Sequence, residues 1–178
     1  MSEGDAGSGQ PQADRVMNVA PGVDESPLSQ SGARPLSDVP EGIEAILPPR
    51  RSEGAAGAPP HHGLSVSFRN SYPANVRAAI MRYDPAGCGD LGNWATAGWW
   101  RLEPGQQVFA FSTNNRYVGF YAIANDGAVW EGQYGPVFIR EEDFQSCIDV
   151  QPEEPCQSVG MRLADLGSVG IVINLTQT

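Results

Sequence analysis

The chain has no lysine, so all 11 of its basic side chains are arginines, set against 21 aspartates and glutamates. Nucleic-acid binding requires clustered positive charge, and neither half of the sequence contains such a cluster. The net charge of −10 therefore argues against a nucleic-acid partner. The sequence also lacks a run of about 18 consecutive apolar residues, the length that a membrane-spanning helix needs, so no transmembrane segment is expected.

Histidine is scarce as well, since it occurs only at His61 and His62, next to two prolines. A Ser-His-acid or Cys-His catalytic site needs a histidine held in the folded domain, and residues 63–178 contain none. The acidic run Glu141–Asp143 is more typical of a solvated loop or helix start than of paired catalytic carboxylates. We therefore expect a protein that is not an enzyme and that uses no cofactor and no metal.

The first 15 residues, MSEGDAGSGQPQADR, are acidic, polar and rich in glycine. A secretory signal has a basic start and an apolar run of about 7 to 15 residues, and this stretch has neither. The expected location is therefore the cytoplasm. Export by a non-classical route, or assembly into a particle, are the alternatives.

Aromatic residues are missing from residues 1–62, which hold nine of the 15 prolines and much of the Gly, Ser and Ala. Such a stretch cannot bury enough apolar surface to offset the entropy lost on ordering the backbone, which is roughly 1 to 2 kcal/mol per residue. The composition predicts a disordered arm over residues 1–62 and a compact domain over residues 63–178.

One segment of the arm differs from its surroundings: LSDVPEGIEAILPPRR, residues 36–51. An N-terminal Asp, an early Pro and a closing Pro pair predict a short helix over residues 38–47. Its apolar residues fall at helical spacing: Val39, Ile43, Ile46 and Leu47. A helix of about two turns is unstable alone in water, so we expect it to dock on a protein partner or on the domain itself. A chance apolar cluster in a linker is the alternative.

From residue 64 onward the apolar residues follow period two, which is typical of half-buried strands. Turn sequences such as EPGQ and NDG separate the strands. The predicted strands are 64–68, Val76–Tyr83, Ala95–Leu102, Gln107–Phe111, Arg116–Ile123, Ala128–Glu131, Val137–Ile139, Met161–Leu166 and Val169–Leu175. Residues 141–147, EEDFQSC, are predicted as one helical turn. The fold expected is an all-β antiparallel sandwich, or a flattened barrel, of about seven to nine short strands.

Three of the four tryptophans lie in the stretch NWATAGWWRLEPGQQ, residues 93–107. Adjacent side chains of a strand point to opposite faces, so Trp100 and Leu102 should face the core while Trp99 and Arg101 face outward. An outward Trp99 can be covered by a loop, can stack under the Arg101 guanidinium, or can belong to a binding surface. The binding hypothesis extends that surface with three tyrosines: Tyr117, Tyr121 and Tyr134.

The cysteine count is odd, with Cys88, Cys147 and Cys156. Cys147 and Cys156 enclose IDVQPEEP, a short stretch that would close a small loop, so a Cys147–Cys156 disulfide is the expected pairing in an oxidising setting. Two reduced, buried thiols are the alternative.

The runs FRNSYPANVRAAIMRY, NWATAGWWRLEPGQQ and RYVGFYAIANDGAVWEG, with the closing strand GIVINLTQT, resemble the bacterial family called domain of unknown function 1036. The resemblance covers about residues 64–178, and Gly98-Trp99-Trp100 is its most specific part. It implies a small all-β module and transfers no catalytic residue. The chain departs from the family where Arg69 replaces the cysteine that members often place before the first Asn.

The function expected from these observations is a non-catalytic binding or assembly module that is tethered to a protein partner through its N-terminal arm. A β-sandwich that binds lipid or glycan through surface aromatics, with or without activity on membranes, is one alternative. A structural subunit of a larger particle is the other.

Overall fold

The computed structural model describes residues 14–23, 63–150 and 155–177. These residues form strands and two short helical turns, α1 (Pro85–Cys88) and a 3-10 turn (Gly89–Leu91). The strands are β1 (Arg15–Val19), β2 (Gly22–Val23), β3 (Leu64–Asn70), β4 (Val76–Tyr83), β5 (Trp94–Leu102), β6 (Gln107–Thr113), β7 (Tyr117–Ala124), β8 (Val129–Glu131), β9 (Tyr134–Ile139), β10 (Phe144–Cys147), β11 (Gln157–Asp165) and β12 (Ile171–Leu175). The all-β fold predicted from the sequence is confirmed.

The strands form two sheets. The smaller sheet has the order β1-β12-β3-β6, and the larger has the order β10-β5-β4-β7-β11-β9, with β8 pairing to β7 and β2 pairing to β8. Pairing in the large sheet is antiparallel along this order. In the small sheet β12 runs parallel to both β1 and β3, and β2 runs parallel to β8, so the antiparallel prediction does not hold for these three pairs.

The large sheet curls into a half-barrel. Its two edge strands, β9 and β10, are joined by the short loop of residues 140–143, so the curl brings the edges toward each other. Trp99 on β5 contacts both sides of this closure: its ring packs on Phe144 with centroids 5.9 Å apart, and its Nε1 donates to the Arg140 carbonyl at 2.8 Å. The half-barrel therefore has an interior of its own in addition to the space between the sheets.

Two hydrophobic clusters follow from this shape. The first lies between the sheets and contains Phe68, Phe120 and Trp130, with Trp100 packed against it. The second lies on the opposite face of the large sheet, inside the curl, and contains Trp99 among its buried residues. Successive side chains of a strand point to opposite faces, and the two clusters pack against both faces of the large sheet. This explains the high apolar content of β4 and β7.

Part of the predicted arm belongs to the domain. β1 pairs with β12, and the indole Nε1 of Trp130 donates to the Val19 carbonyl at 2.9 Å. The buried Arg162 guanidinium donates to the carbonyls of Ala20 and Gly22. The prediction of disorder is therefore wrong for residues 14–23. The strand is short and has no aromatic residue, so its stability comes from partners distant in sequence that composition does not reveal.

The remaining arm residues, including the docking helix predicted at 38–47 with Val39, Ile43, Ile46 and Leu47, lie outside the described residues.

The disulfide pairing differs from the prediction. Cys88 is bonded to Cys147, with Cα atoms 5.7 Å apart, and Cys156 is a free cysteine. The helical turn α1 ends at Cys88, and the 3-10 turn Gly89–Leu91 leads from it toward β5, where Cys147 pairs in register with Ala95. Sheet pairing thus brings together two cysteines that are remote in sequence, and the Cys147–Cys156 prediction is wrong.

A second local prediction also changes. Residues Phe144–Cys147 form β10, paired to β5, instead of the helical turn predicted over 141–147. Four residues with no apolar periodicity are too few to signal a strand, and the neighbouring β5 supplies the hydrogen bonds that decide the outcome. The NDG turn between β7 and β8 is confirmed, with Gly127 at a φ of 92°, a conformation that favours glycine.

Candidate functional site

The candidate site lies where β4 begins and where β5 and β7 end, at one end of the half-barrel. Val76 pairs in register with Leu102 on one side and Ala124 on the other. One residue further along β4, Arg77 pairs with Arg101 and with Ile123. Because adjacent residues face opposite sides, the Val76 row faces the core between the sheets. The Arg77 row faces the interior of the half-barrel.

A groove of about 870 Å³ lies across these strand ends. We call it the end groove and define it by six of its lining residues: Asn75, Arg77, Arg101, Gln106, Ile123 and Asn125. Small-molecule sites in proteins commonly measure about 300 to 1,000 Å³ and combine apolar walls with a few polar groups. The end groove has that size and that mixture. Besides Ile123, its apolar lining includes the buried residues Val76, Leu102 and Ala124, and its polar lining includes the carboxylate of Glu103.

The turns at the rim of the end groove are tied to one another and to the sheet. Asn125 N donates to the Asn75 carbonyl at 3.0 Å, which joins the β7–β8 turn to the loop before β4. The Gly105 amide, in the turn between β5 and β6, donates to the Asn70 carbonyl at 2.7 Å. In that turn Gln106 Oε1 accepts from Glu103 N at 2.9 Å. The rim is therefore held by backbone hydrogen bonds, which limits the ordering that ligand binding would require.

Both arginines of the end groove are held in position. The Arg77 guanidinium lies over the Trp99 ring, 4.6 Å from its centroid, and its Nη1 donates to the Glu141 carbonyl at 3.3 Å. The Arg101 guanidinium binds the Asp143 carboxylate through both Nη atoms, with Nη2 at 2.8 Å from Oδ1 and Nη1 at 3.2 Å from Oδ2. The loop 140–143 thus supplies the contacts for both cations.

The electrostatics of the site favour charged groups at the rim and neutral groups inside. Hydrogen bonding from Arg101 lowers the pKa of Asp143 below its ordinary value. Inside the half-barrel, burial raises the pKa of Tyr121 above its ordinary value, with a further contribution from the Glu131 charge. At neutral pH the rim therefore presents ionised side chains, while the tyrosine inside stays protonated.

The structure places the five predicted binding residues in two different settings. Four of them come together in or against the interior cluster of the half-barrel: Trp99, Tyr117, Tyr121 and Tyr134. Trp99 is 8% exposed and Tyr121 is 2% exposed, so they form packing and not an open aromatic surface. Only Arg101 stands at the surface of the end groove.

The prediction that Trp99 and Arg101 share the face opposite Trp100 and Leu102 is correct. Trp99 is covered by the loop 140–143 and by Phe144, which is the first of the three explanations considered for an outward Trp. The cation above its ring belongs to Arg77 and not to Arg101. Arg77 covers Trp99 in place of Arg101 because of the β4–β5 register, which cannot be read from the sequence.

Among the described residues, no group of three or more His, Cys, Asp or Glu side chains is arranged to hold a metal ion. Within the same residues, no helix has both the length and the apolar character needed to cross a membrane. The acidic run Glu141–Asp143 is exposed, and its one salt bridge to another described residue is the Asp143 pairing with Arg101.

Arg77 and Ile123 were not among the site residues predicted from the sequence. Each alternates with a core residue of its own strand, which predicts an outward position, but nothing local indicates that they meet across β4 and β7. Comparison with models of known protein families, with curated proteins and with solved structures gave no match. The resemblance to domain of unknown function 1036 therefore stays a prediction.

Proposed function

We propose that this protein is a non-catalytic binding module that takes its ligand in the end groove. The observation that supports this most is the combination of volume and lining: about 870 Å³ bounded by two arginines, three side-chain amides, Glu103 and apolar residues that include Ile123. Among the described lining residues Glu103 is the single carboxylate. Because arginine stays protonated at neutral pH and amides do not titrate, acid-base chemistry would have to rest on that one group. A groove of this composition suits recognition better than reaction.

The rim geometry supports binding of a small molecule. The backbone hydrogen bonds that tie Asn75 to Asn125 and Asn70 to Gly105 keep the groove open in one shape. Preformed sites lose less entropy on binding, which raises affinity for a given set of contacts. Surface aromatics are not the basis of this proposal, since Trp99 and Tyr121 are buried.

A ligand screen by two-dimensional amide NMR tests the proposal. Binding molecules should shift the amide resonances of Arg77, Ile123 and Asn125, and should leave those of the small sheet in place. Ile123→Gln removes the apolar wall at similar volume and should weaken the binders. Val129→Thr is the matched control, because Val129 pairs with Ile123 across β7 and β8 without lining the groove. Shifts centred elsewhere, or equal effects of the two variants, would contradict the proposal.

A protein partner reached through residues 36–51 is a separate proposal that the end groove does not address. An assembly role is supported only if the full chain binds a protein partner that a chain starting at Gly63 does not bind. Such a truncation also removes β1, so the sharper variant replaces Ile43 and Ile46 with serine and leaves residues 14–23 intact. For location, a disulfide such as Cys88–Cys147 is typical of oxidising compartments, which favours the export alternative over the cytoplasm.

A further inference from the structure

We infer that the ligand of the end groove is a small amphipathic monocarboxylate whose carboxylate bridges Arg77 and Arg101 and whose apolar part lies against Ile123. This inference rests on the proposed function, since it names the chemical class of ligand for the same groove.

Two arginines form a cross-strand pair at the end groove. Arg77 and Arg101 stand directly opposite each other in the β4–β5 register. Like charges at directly opposed positions of an antiparallel pair destabilise the sheet. Local rules of this kind are commonly broken at functional sites. Asp143 offsets the charge of Arg101, while Arg77 has no carboxylate partner among the described residues. One anionic group placed between the two guanidinium groups would give each of them an attractive, charge-assisted contact.

The Arg77 guanidinium has N–H donors left for a ligand. A guanidinium carries five N–H donors in a planar fork, and the Glu141 carbonyl engages one donor of Arg77 at 3.3 Å. The Arg77 guanidinium carbon lies 4.6 Å from the centroid of the Trp99 ring. This contact restrains the position of the guanidinium and leaves the N–H donors at its edges able to reach a ligand. Planar forks match carboxylates in bidentate geometry, which favours a carboxylate as the anionic group.

Asp143 shows how a carboxylate binds Arg101. Its two oxygens bind both Nη atoms of Arg101 at 2.8 and 3.2 Å. The side chains of Arg101 and Asp143 are 64% and 65% exposed, and ion pairs this open to water contribute little stability. A ligand carboxylate can therefore displace Asp143 from Arg101 at small cost, with the gain of contacting Arg77 as well.

The apolar part of the ligand follows from Ile123. Its side chain is half-buried and lies on the same face as the two arginines. An inorganic anion would leave this apolar wall uncovered, and a groove of about 870 Å³ has room for more than a single ion. A carboxylate attached to a short hydrocarbon chain satisfies both halves of the site.

The test is isothermal titration calorimetry with octanoate as the probe, compared with octan-1-ol and acetate. Octanoate should bind about tenfold or more tightly than either, because octan-1-ol lacks the charge and acetate lacks the apolar chain. Equal binding of octanoate and octan-1-ol would overturn the carboxylate assignment. Equal binding of octanoate and acetate would overturn the apolar assignment.

Variants locate the contact. Arg77→Met and Arg101→Met should each weaken octanoate binding about tenfold. Arg116→Met is the matched control, because Arg116 forms an equally bidentate pair with Asp165 away from the groove, and it should leave the affinity unchanged. Asp143→Ala should tighten binding, since it frees Arg101. A gain of affinity cannot come from misfolding, and a loss in this variant would overturn the inference.

The inference and the proposed function fail differently. If octan-1-ol or another neutral molecule shifts the Ile123 amide resonance and octanoate binds no more tightly, the groove remains a binding site and the carboxylate assignment is rejected. An end groove that binds neither octanoate nor any neutral molecule of the screen would reject both.

Discussion

Replacing Cys88 with alanine removes a bond that closes a loop of 59 residues. In the chain-entropy treatment, a cross-link stabilises the fold by restricting the unfolded chain, by an amount that grows with the logarithm of loop length. For 59 residues the expected contribution is about 4 kcal/mol at 25 °C. The alternative pairing of Cys147 with Cys156 spans nine residues and would contribute about 2.5 kcal/mol.

Urea unfolding of the oxidised protein separates the two pairings. Cys88→Ala should lower the free energy of unfolding by about 4 kcal/mol, while Cys156→Ala, which removes the free thiol, should leave it nearly unchanged. Both substitutions remove one sulfur, so each is the control for the other. A loss in Cys156→Ala without a loss in Cys88→Ala would refute the pairing. Peptide mapping without reductant should recover Cys88 joined to Cys147.

Three further predictions concern the anchoring of the fold and the site. Arg162→Met should lower the free energy of unfolding by about 3 kcal/mol, because it removes buried charge-assisted hydrogen bonds. Amide hydrogen exchange should accelerate first over Arg15–Val19. Unchanged exchange in that strand would contradict the anchoring role of Arg162. Gly160→Ala should lower the free energy of unfolding by about 1 to 3 kcal/mol through overpacking, since its methyl group would collide with the carbonyl oxygen of Gly132. An unchanged free energy in urea unfolding would exclude that close approach. In an NMR titration the pKa of the Asp143 carboxyl should lie below its ordinary value of 3.8. The stability that the ion pair contributes is then present above pH 3.8 and is lost as the pH falls through the lower folded-state pKa. A titration midpoint above 3.8 would contradict the ion pair.

Local pattern predicted much of the large sheet. The run VRAAIMRY was predicted as a strand, and β4 has the bounds predicted for it, Val76–Tyr83. The assignment of Trp100 and Leu102 to the core between the sheets also holds. These predictions succeed because side-chain alternation and turn residues are properties of a few neighbouring positions.

The failures share one physical cause, which is dependence on distant partners. β1 is a strand because β12 and Arg162 hold it, and β10 is a strand because β5 pairs with it. The disulfide joins Cys88 to Cys147 because strand register brings them together. Register is set by the packing of whole sheets, so a single sequence shows its consequences only in part.

The candidate site illustrates the same limit. The sequence identified Arg101 as outward-facing but assigned it to an aromatic surface with Trp99. Arg77, its cross-strand neighbour, is the residue that stacks on Trp99 and shares the end groove. The outward position of each arginine follows from alternation, while their juxtaposition requires the pairing of β4 with β5.

The measurement that tests the central claim most directly is the NMR spectrum of the arginine side-chain Nε–Hε groups during an octanoate titration. The account predicts that the signals of Arg77 and Arg101 move together and saturate with one affinity, while the signal of Arg116 stays in place. Movement of Arg116 to the same extent, or stationary signals from Arg77 and Arg101 at saturating octanoate, would contradict the assignment of the end groove as the binding site.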